Sequence, residues 1–312
     1  MAGTSCLPPR SSCRHASPVT PTRHPASPIV RLHDPSPLTM LMRRIDAAAD
    51  GAAAPDSVST GFPSVDRLLG GGVRGGDQVV LGGDVGSGKS ALALAFALRA
   101  AHAGRSVAFF SGEMAPERSL ERALALEGRA AIDDIRRGEL DDPGRAGVGA
   151  AALRLRDGAP ALERFGPGGV TALADALRRT LETRLAVVDP LQALATGARP
   201  REEELAAAVL RLKELAIELG IAVVLTSHLP LLAPSRADAR PTLADFGALG
   251  AVREHADVVL ALSREEMYNP GLGAEGATEL HALKNRSGAL GYVDLYFYKR
   301  WMRFEDMVEP DR

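Results

Sequence analysis

Residues Gly83-Asp84-Val85-Gly86-Ser87-Gly88-Lys89-Ser90 follow the pattern G-x-x-x-x-G-K-[ST]. Their surroundings turn this short match into a constraint on the fold. Gln78-Val79-Val80-Leu81 ahead of it is an apolar run that predicts a buried strand, and Ala91 to Ala101 behind it predicts a helix. A strand, a glycine turn and a helix N-terminus aim several backbone N–H groups and a positive dipole end at one spot. Such a spot suits a triphosphate. Gly83, Gly86 and Gly88 let the backbone wrap around it, with Ser87 inside the wrap. Lys89 is placed to reach β- and γ-phosphates, and the Ser90 hydroxyl to ligate Mg²⁺.

The lysine in that pattern is informative because the chain has only four: Lys89, Lys213, Lys284 and Lys299. Elsewhere it uses arginine. Composition alone gives a chance match anywhere in the chain a probability of roughly 0.005. A bare strand-to-helix turn has no need of Lys-Ser after its last glycine.

Other features bound the function. An apolar fraction of 46% in 312 residues is enough for a proper core. A net charge of −2 gives no global pull toward nucleic acid or an anionic membrane, so any polyanion site must be local. The two cysteines, Cys6 and Cys13, lie near the N-terminus and cannot staple a core, which fits a reducing compartment and a cytoplasmic protein. No apolar run reaches about 18 residues, so no membrane span is expected.

Residues 1 to 37 are rich in Pro, Ser, Arg and His, with Arg10, Arg14, Arg23 and Arg31 facing a single acid, Asp34. The composition predicts disorder. It is shared by organelle transit peptides, by plain basic tails, and by a misassigned start preceding Met40 or Met42. Leu38 to Ala49 predicts a short helix with Leu38, Leu41, Met42 and Ile45 on one side, a docking element for a neighbouring subunit or a fraying lead-in. The expected division is a tail over 1–50 and a folded domain over 51–312.

Within that domain, strands are expected at 78–81, 107–111, 185–189, 221–227, 257–263, 278–283, 292–298 and 302–304. Helices are expected at 91–101, 116–127, 144–157, 172–184 and 201–219. Early strands alternate with helices, and the last three strands are joined by short turns. The pattern predicts an α/β fold: a mostly parallel central sheet flanked by helices, with antiparallel strands at the C-terminal end.

In open α/β sheets ligands sit beyond the C-terminal ends of the strands. Strand 185–189 ends in Asp189, either the Walker B acid that holds Mg²⁺ through its water shell or a helix cap. Pro190 follows, so a base for water must come from elsewhere. Glu113, just past strand 107–111, is either that base or an exposed loop carboxylate. His228, past strand 221–227, is either a γ-phosphate sensor or a structural hydrogen-bonder. Lys284 and Arg286, past strand 278–283, are either a solvated turn or a finger inserted into the next subunit's ATP site.

These residues, taken together, resemble a family. The stretch from about Ser59 to Val308 resembles the C-terminal ATPase domain of DnaB-type replicative helicases, within the RecA-like superfamily. The segments that carry the likeness are Thr60-Gly-Phe-Pro-Ser-Val-Asp66, the phosphate loop, Phe109-Phe-Ser-Gly-Glu-Met114, Val187-Val-Asp-Pro-Leu-Gln192, Leu210-Arg-Leu-Lys-Glu-Leu-Ala216, Ala256-Asp-Val-Val259 and Leu283-Lys-Asn-Arg-Ser-Gly288. The resemblance implies ATP between the subunits of a homo-oligomeric ring, usually hexameric, acting on single-stranded DNA. It implies Glu113 as base, Asp189 near Mg²⁺, and Lys284 and Arg286 acting on a neighbour's γ-phosphate. Three departures accompany it. No collar domain is recognisable before the ATPase region. His228 stands at a sensor position that is usually Gln. Asp245-Phe246-Gly247-Ala248-Leu249-Gly250 occupies the place of a DNA-contacting loop that usually carries Arg-Glu-Ser-Gly. Arg199, Arg201, Arg236 and Arg240, read as lying in loops, either compensate or serve only solubility. The expected function is ATP hydrolysis coupled to translocation on, or unwinding of, DNA. The alternative is a RecA-fold ATPase that switches or serves protein and recombination partners.

Overall fold

The structure, a computed structural model, describes residues 35–49, 57–180, 182–229, 236, 238–269, 271 and 274–307. Contacts divide the chain into two units, Met1–Gly51 and Ala52–Arg312. The first contains helix α1 (Pro35–Ala49). It begins earlier than the sequence suggests, taking in residues 35–37; the rest of the expected tail lies outside the described residues. Leu38, Leu41, Met42 and Ile45 are all exposed on it.

The second unit opens with a small antiparallel pair, β1 (Ser57–Val58) and β2 (Val73–Arg74), around the short helix α2 (Pro63–Leu68). Then come β3 (Gln78–Gly83), α3 (Lys89–His102), β4 (Val107–Ser111), α4 (Pro116–Gly128), α5 (Ile132–Arg137), α6 (Asp142–Gly158), β5 (Ala161–Arg164), α7 (Gly169–Arg179) and β6 (Leu185–Asp189). The chain continues through α8 (Arg201–Leu219), β7 (Ala222–His228), α9 (Ala251–His255), β8 (Val258–Ser263), β9 (Ala277–Asn285), β10 (Gly291–Tyr298) and β11 (Arg303–Asp306). Among the described residues the main sheet has nine strands in the order β11-β10-β9-β8-β3-β7-β6-β4-β5. From β8 to β5 all neighbours are parallel, and β9, β10 and β11 add on antiparallel.

The central strands are apolar on both faces because both are covered. Successive residues divide between two cores: Leu81, Phe109 and Val187 lie on the α3 side, and Val80, Phe110 and Val188 on the α8 side. Helix α8 spans the predicted residues. Leu205, Val209, Leu212 and Ala216 are buried, its first turn is acidic, and Gly220 closes it in the left-handed conformation at φ 64°.

Several details differ from the sequence reading: the helix expected at 172–184 is α7, which ends at Arg179, and α2, α5 and the β1–β2 pair were not foreseen. Strand β9 runs on to Asn285, so Lys284 lies within it. The antiparallel partner β8 pairs Val259 with Lys284 and Val258 with Asn285, with a bulge between Val259 and Leu260, and this ladder outweighs the local polarity. Strand β5, unforeseen, pairs parallel with β4 at the sheet edge.

Candidate nucleotide site

Strands β3, β4, β6 and β7 run parallel, so their C-terminal ends emerge on one edge of the sheet. The phosphate loop joins β3 to α3 there. Lys89 is buried and its Nζ donates to the Asp84 carbonyl at 3.1 Å. Burial lowers the pKa of its ammonium, while the charges of Asp189, Asp84 and Glu113 pull it back up. Two observations fit the loop to a phosphate. The Ser87 hydroxyl is buried without a hydrogen-bond partner. The backbone is also closed to side chains: a Cβ on Gly83 would come within 2.5 Å of Ser87 Oγ. At Gly88, φ is +100° and a Cβ would meet Phe304 at 2.8 Å.

Asp189, at the end of β6, is buried and accepts hydrogen bonds from Ser90 Oγ at 2.9 Å and Thr226 Oγ1 at 2.6 Å. Thr226 fixes one carboxylate oxygen beside the helix N-terminus where Ser90 stands. No group of three or more His, Cys, Asp or Glu side chains suited to a metal occurs among the described residues. The Ser90 hydroxyl and the Asp189 carboxylate, 2.9 Å apart, are hard oxygen donors that suit an ion arriving with a phosphate, as Mg²⁺ does.

Glu113 sits on a tight turn after β4. The Gly112 amide donates to the Asp189 carbonyl at 2.9 Å, and the Met114 amide to Ser111 Oγ at 3.0 Å. Its carboxylate lies 4.0 Å from His228 Nε2. His228 is the last residue of β7 and is held from behind by Gln192. The His228 amide donates to Gln192 Oε1 at 3.0 Å, and Gln192 Nε2 donates to the His228 carbonyl at 3.2 Å. Burial, then the Lys89 charge, lower the imidazole pKa, with Glu113 and Asp189 opposing. Lys89, Ser90, Glu113 and His228 line one open cleft of about 620 Å³.

The cleft holds residues that the sequence reading missed. Arg122 of α4 lines it, with its Nε buried and without a hydrogen-bond partner. Burial lowers its pKa, and the charges of Asp189 and Glu113 act against that. Arg264, after β8, donates from Nη1 to the Gly86 carbonyl at 3.0 Å and is clamped by Glu266. Lys299 reaches the same Glu266 at 2.9 Å. Tyr268 donates to Asp84 Oδ2 at 3.1 Å; burial and that carboxylate push its pKa up to about 12. No local pattern marks Arg122 or Arg264. Lys299 carried a usable signal, being one of four lysines.

Lys284 and Arg286 lie elsewhere. The Arg286 amide donates to the Asp257 carbonyl and the Asp257 amide to the Gln78 carbonyl, both at 2.9 Å, so Arg286 stands level with the start of β3. Gly83 is five residues further along, roughly 17 Å at ordinary strand rise. These two cations are therefore at the opposite edge of the sheet from their own phosphate loop. Lys284 Nζ rests on the last carbonyls around α9, 2.7 Å from that of Arg253.

The 245–250 segment is ordered by its own chain. Phe246 is buried, and the Ala248 amide donates to Glu202 Oε2 at 2.5 Å. Leu249 is 69% exposed at φ 51°. Arg236 pairs with Asp245 and Arg240 with Glu279, whereas Arg199 and Arg201 are exposed. Arg201 is the first residue of α8 rather than part of a loop.

A phosphate loop feeding α3, a buried acid at the end of β6 and a mostly parallel sheet with an antiparallel extension define a RecA-like ATPase domain. The fold superposes on that of a DnaB-like replicative helicase, solved together with its interactions with primase, with a TM-score of 0.78 at 24% identity, over 88% of this chain and 66% of that one. A KaiC-like protein, PH0186 of Pyrococcus horikoshii OT3, shares the fold more loosely, at a TM-score of 0.55 and 19% identity over 81% of this chain and 99% of that one. The profile of the DnaB-like helicase C terminal domain matches residues 57–306, and the chain belongs to that family. It is 30% identical over 279 residues to the replicative DNA helicase DnaB of Leifsonia xyli subsp. xyli, covering 87% of this chain and 60% of that relative. The family assignment favours the helicase reading over the switch or recombination alternative. The chain spans about three fifths of the length of that helicase.

Proposed function

We propose that this chain is the motor domain of an ATP-driven DNA helicase, working in the cytoplasm as a homo-oligomeric ring, hexameric by family analogy, on single-stranded DNA. The observation that carries the reading is the split site. Lys89, Ser90, Glu113, Asp189 and His228 gather on one sheet edge, and Lys284 and Arg286 stand on the other. A ring brings the second edge of one subunit to the first edge of the next.

In this reading the amides of Gly83–Ser90 and the Lys89 ammonium hold the β- and γ-phosphates of ATP. Ser90 and Asp189 would hold Mg²⁺, which supplies neutralisation of phosphate charge when bound with the nucleotide. Glu113 orients and polarises the attacking water. His228, braced by Gln192, donates toward the γ-phosphate and reports its loss to β7. Arg286, with Lys284, stabilises the transition-state charge from the neighbouring subunit, a contribution worth about 10³–10⁵ in rate for such fingers.

Steady-state ATPase assays test this with and without single-stranded DNA. Lys89→Ala and Glu113→Gln are expected to lose at least about a hundredfold in kcat. DNA is expected to stimulate the wild type, with stimulation fading as salt rises. Turnover that survives either substitution would overturn the assignment of those residues. Turnover indifferent to DNA would overturn the helicase reading.

A further inference from the structure

Asp257 is a buried acid at the start of β8 that the mechanism above does not use. A buried carboxylate is costly unless its oxygens are satisfied. Its Oδ2 accepts the Gln78 amide at 2.9 Å and pairs with Lys213 Nζ, which also donates to the Gly76 carbonyl at 2.7 Å. Its Oδ1 faces Arg286 Nε at 3.1 Å. The backbone repeats the connection, since the Arg286 amide donates to the Asp257 carbonyl at 2.9 Å.

The asymmetry of this arrangement is what matters. Arg286 is more than half exposed, so the pair adds little to stability. Its closest approach to the carboxylate is through Nε, and no second acid pairs with Arg286 among the described residues. Lys213 offsets the Asp257 charge from the far side. Lys213, Asp257 and Arg286 together keep one net positive charge, and Lys284 on the same strand adds another. A cation fixed in direction before the phosphate arrives loses less freedom and reorganises less in the transition state.

We propose that Asp257, balanced by Lys213, is a positioning residue that aims the guanidinium of Arg286 out of the subunit at the γ-phosphate of a neighbour. This deepens the reading in which Arg286 acts in trans and rests on it. The scarcity of lysine acquires a pattern: Lys89 and Lys299 line the nucleotide cleft, and Lys213 and Lys284 flank the finger.

Subunit mixing tests it. Glu113→Gln subunits have a dead cleft and a sound finger, and Arg286→Ala subunits have the reverse. Reassembled together, these two inactive proteins are expected to regain ATPase at the interfaces that combine the sound halves. Asp257→Asn alone is expected to lose about tenfold to a hundredfold in kcat, with KM for ATP within about twofold of wild type. Mixed with Glu113→Gln it is expected to recover as Arg286→Ala does, because its own cleft is intact. Lys213→Met, which leaves Asp257 in place, is expected to show the same recovery and serves where Asp257→Asn does not fold. Wild-type kcat in the folded Asp257→Asn protein overturns the proposal. So does a loss that Glu113→Gln subunits fail to restore while they restore Arg286→Ala. If Arg286→Ala and Glu113→Gln do not complement each other, trans action itself is wrong and the proposal falls with it.

Discussion

His228 stands where burial and the Lys89 ammonium both work against its charge. Its folded pKa lies below the ordinary imidazole value near 6.5, so at neutral pH it is uncharged and protonates only as pH falls further. The sign follows: the protonation cost, and any loss of function tied to it, is absent above about pH 6.5 and appears on acidification. The wild-type kcat–pH profile is expected to show an inflection below 6.5 that His228→Gln lacks, with His228→Gln within about tenfold of wild type at pH 8. An identical acidic limb in both proteins would remove His228 from the chemistry. The residues legible from sequence were those that stand beyond strand ends or in a fixed pattern: Gly83 to Ser90, Glu113, Asp189 and His228. Thr226 and Gln192, which fix Asp189 and His228, were not. Their roles come from the β6–β7 register and from the turn after Asp189; Gln192 ends one of the segments that carry the family likeness, but that likeness assigned it no role.

At the scale of elements, the late strands do more than extend the sheet. Phe304 of β11 is fully buried, stacks on Phe297 of β10 at 4.3 Å and fills the space against Gly88. Arg99 of α3 ties the same region together, donating to the Gly61 carbonyl at 2.6 Å and the Phe304 carbonyl at 3.1 Å. The antiparallel extension thereby braces the phosphate loop and α3. Phe304→Ala is expected to cost about 3–5 kcal/mol in denaturant unfolding, and to raise KM for ATP more than Phe304→Leu does. Equal stability in all three proteins would show that β11 does not brace the loop. Helix α1 presents Leu38, Leu41, Met42 and Ile45 to solvent, a stripe suited to a neighbouring subunit. Deleting residues 1–50 is expected to shift the assembly to smaller species in light scattering; an unchanged mass would make α1 irrelevant to assembly. Helix α8, with strong periodicity and clear end signals, was readable to the residue, whereas the helix expected at 172–184 is α7 and ends at Arg179. Strand β5 was not, since Ala161-Leu162-Glu163-Arg164 is a half-exposed edge whose strand form depends on its ladder to β4 and on Leu162 packing against the core. The end of β9 was misjudged for a related reason: Lys284 and Asn285 look like a polar turn until β8 is beside them.

At the scale of the whole molecule, the proposed function asks a chain with a net charge of −2 to grip a polyanion. The 245–250 segment, which the sequence resemblance matches to the family's DNA loop, offers no cationic side chain. Arg236 and Arg240 are committed to Asp245 and Glu279, with Arg240 holding the Glu279 pKa down to about 2. Arg199 and Arg201 remain exposed at the start of α8, the helix whose Glu202 carboxylate accepts the Ala248 amide. They are the cations best placed to supply the missing charge beside that segment. If both contact phosphates, replacing them with alanine is expected to reduce the slope of log K for single-stranded DNA against log salt by about 1.4 per engaged subunit, since each phosphate contact contributes about 0.7 on single strands. Affinity falls most at low salt, and basal ATPase without DNA is measured alongside, because Arg201 shares a second pocket with His228 and its charge acts on that imidazole. A slope that does not move would assign both arginines to solvation alone. The grip on DNA would then fall to backbone amides and to the exposed Leu249, whose contribution is insensitive to salt. Titrations of the double variant and wild type at several salt concentrations separate the two cases.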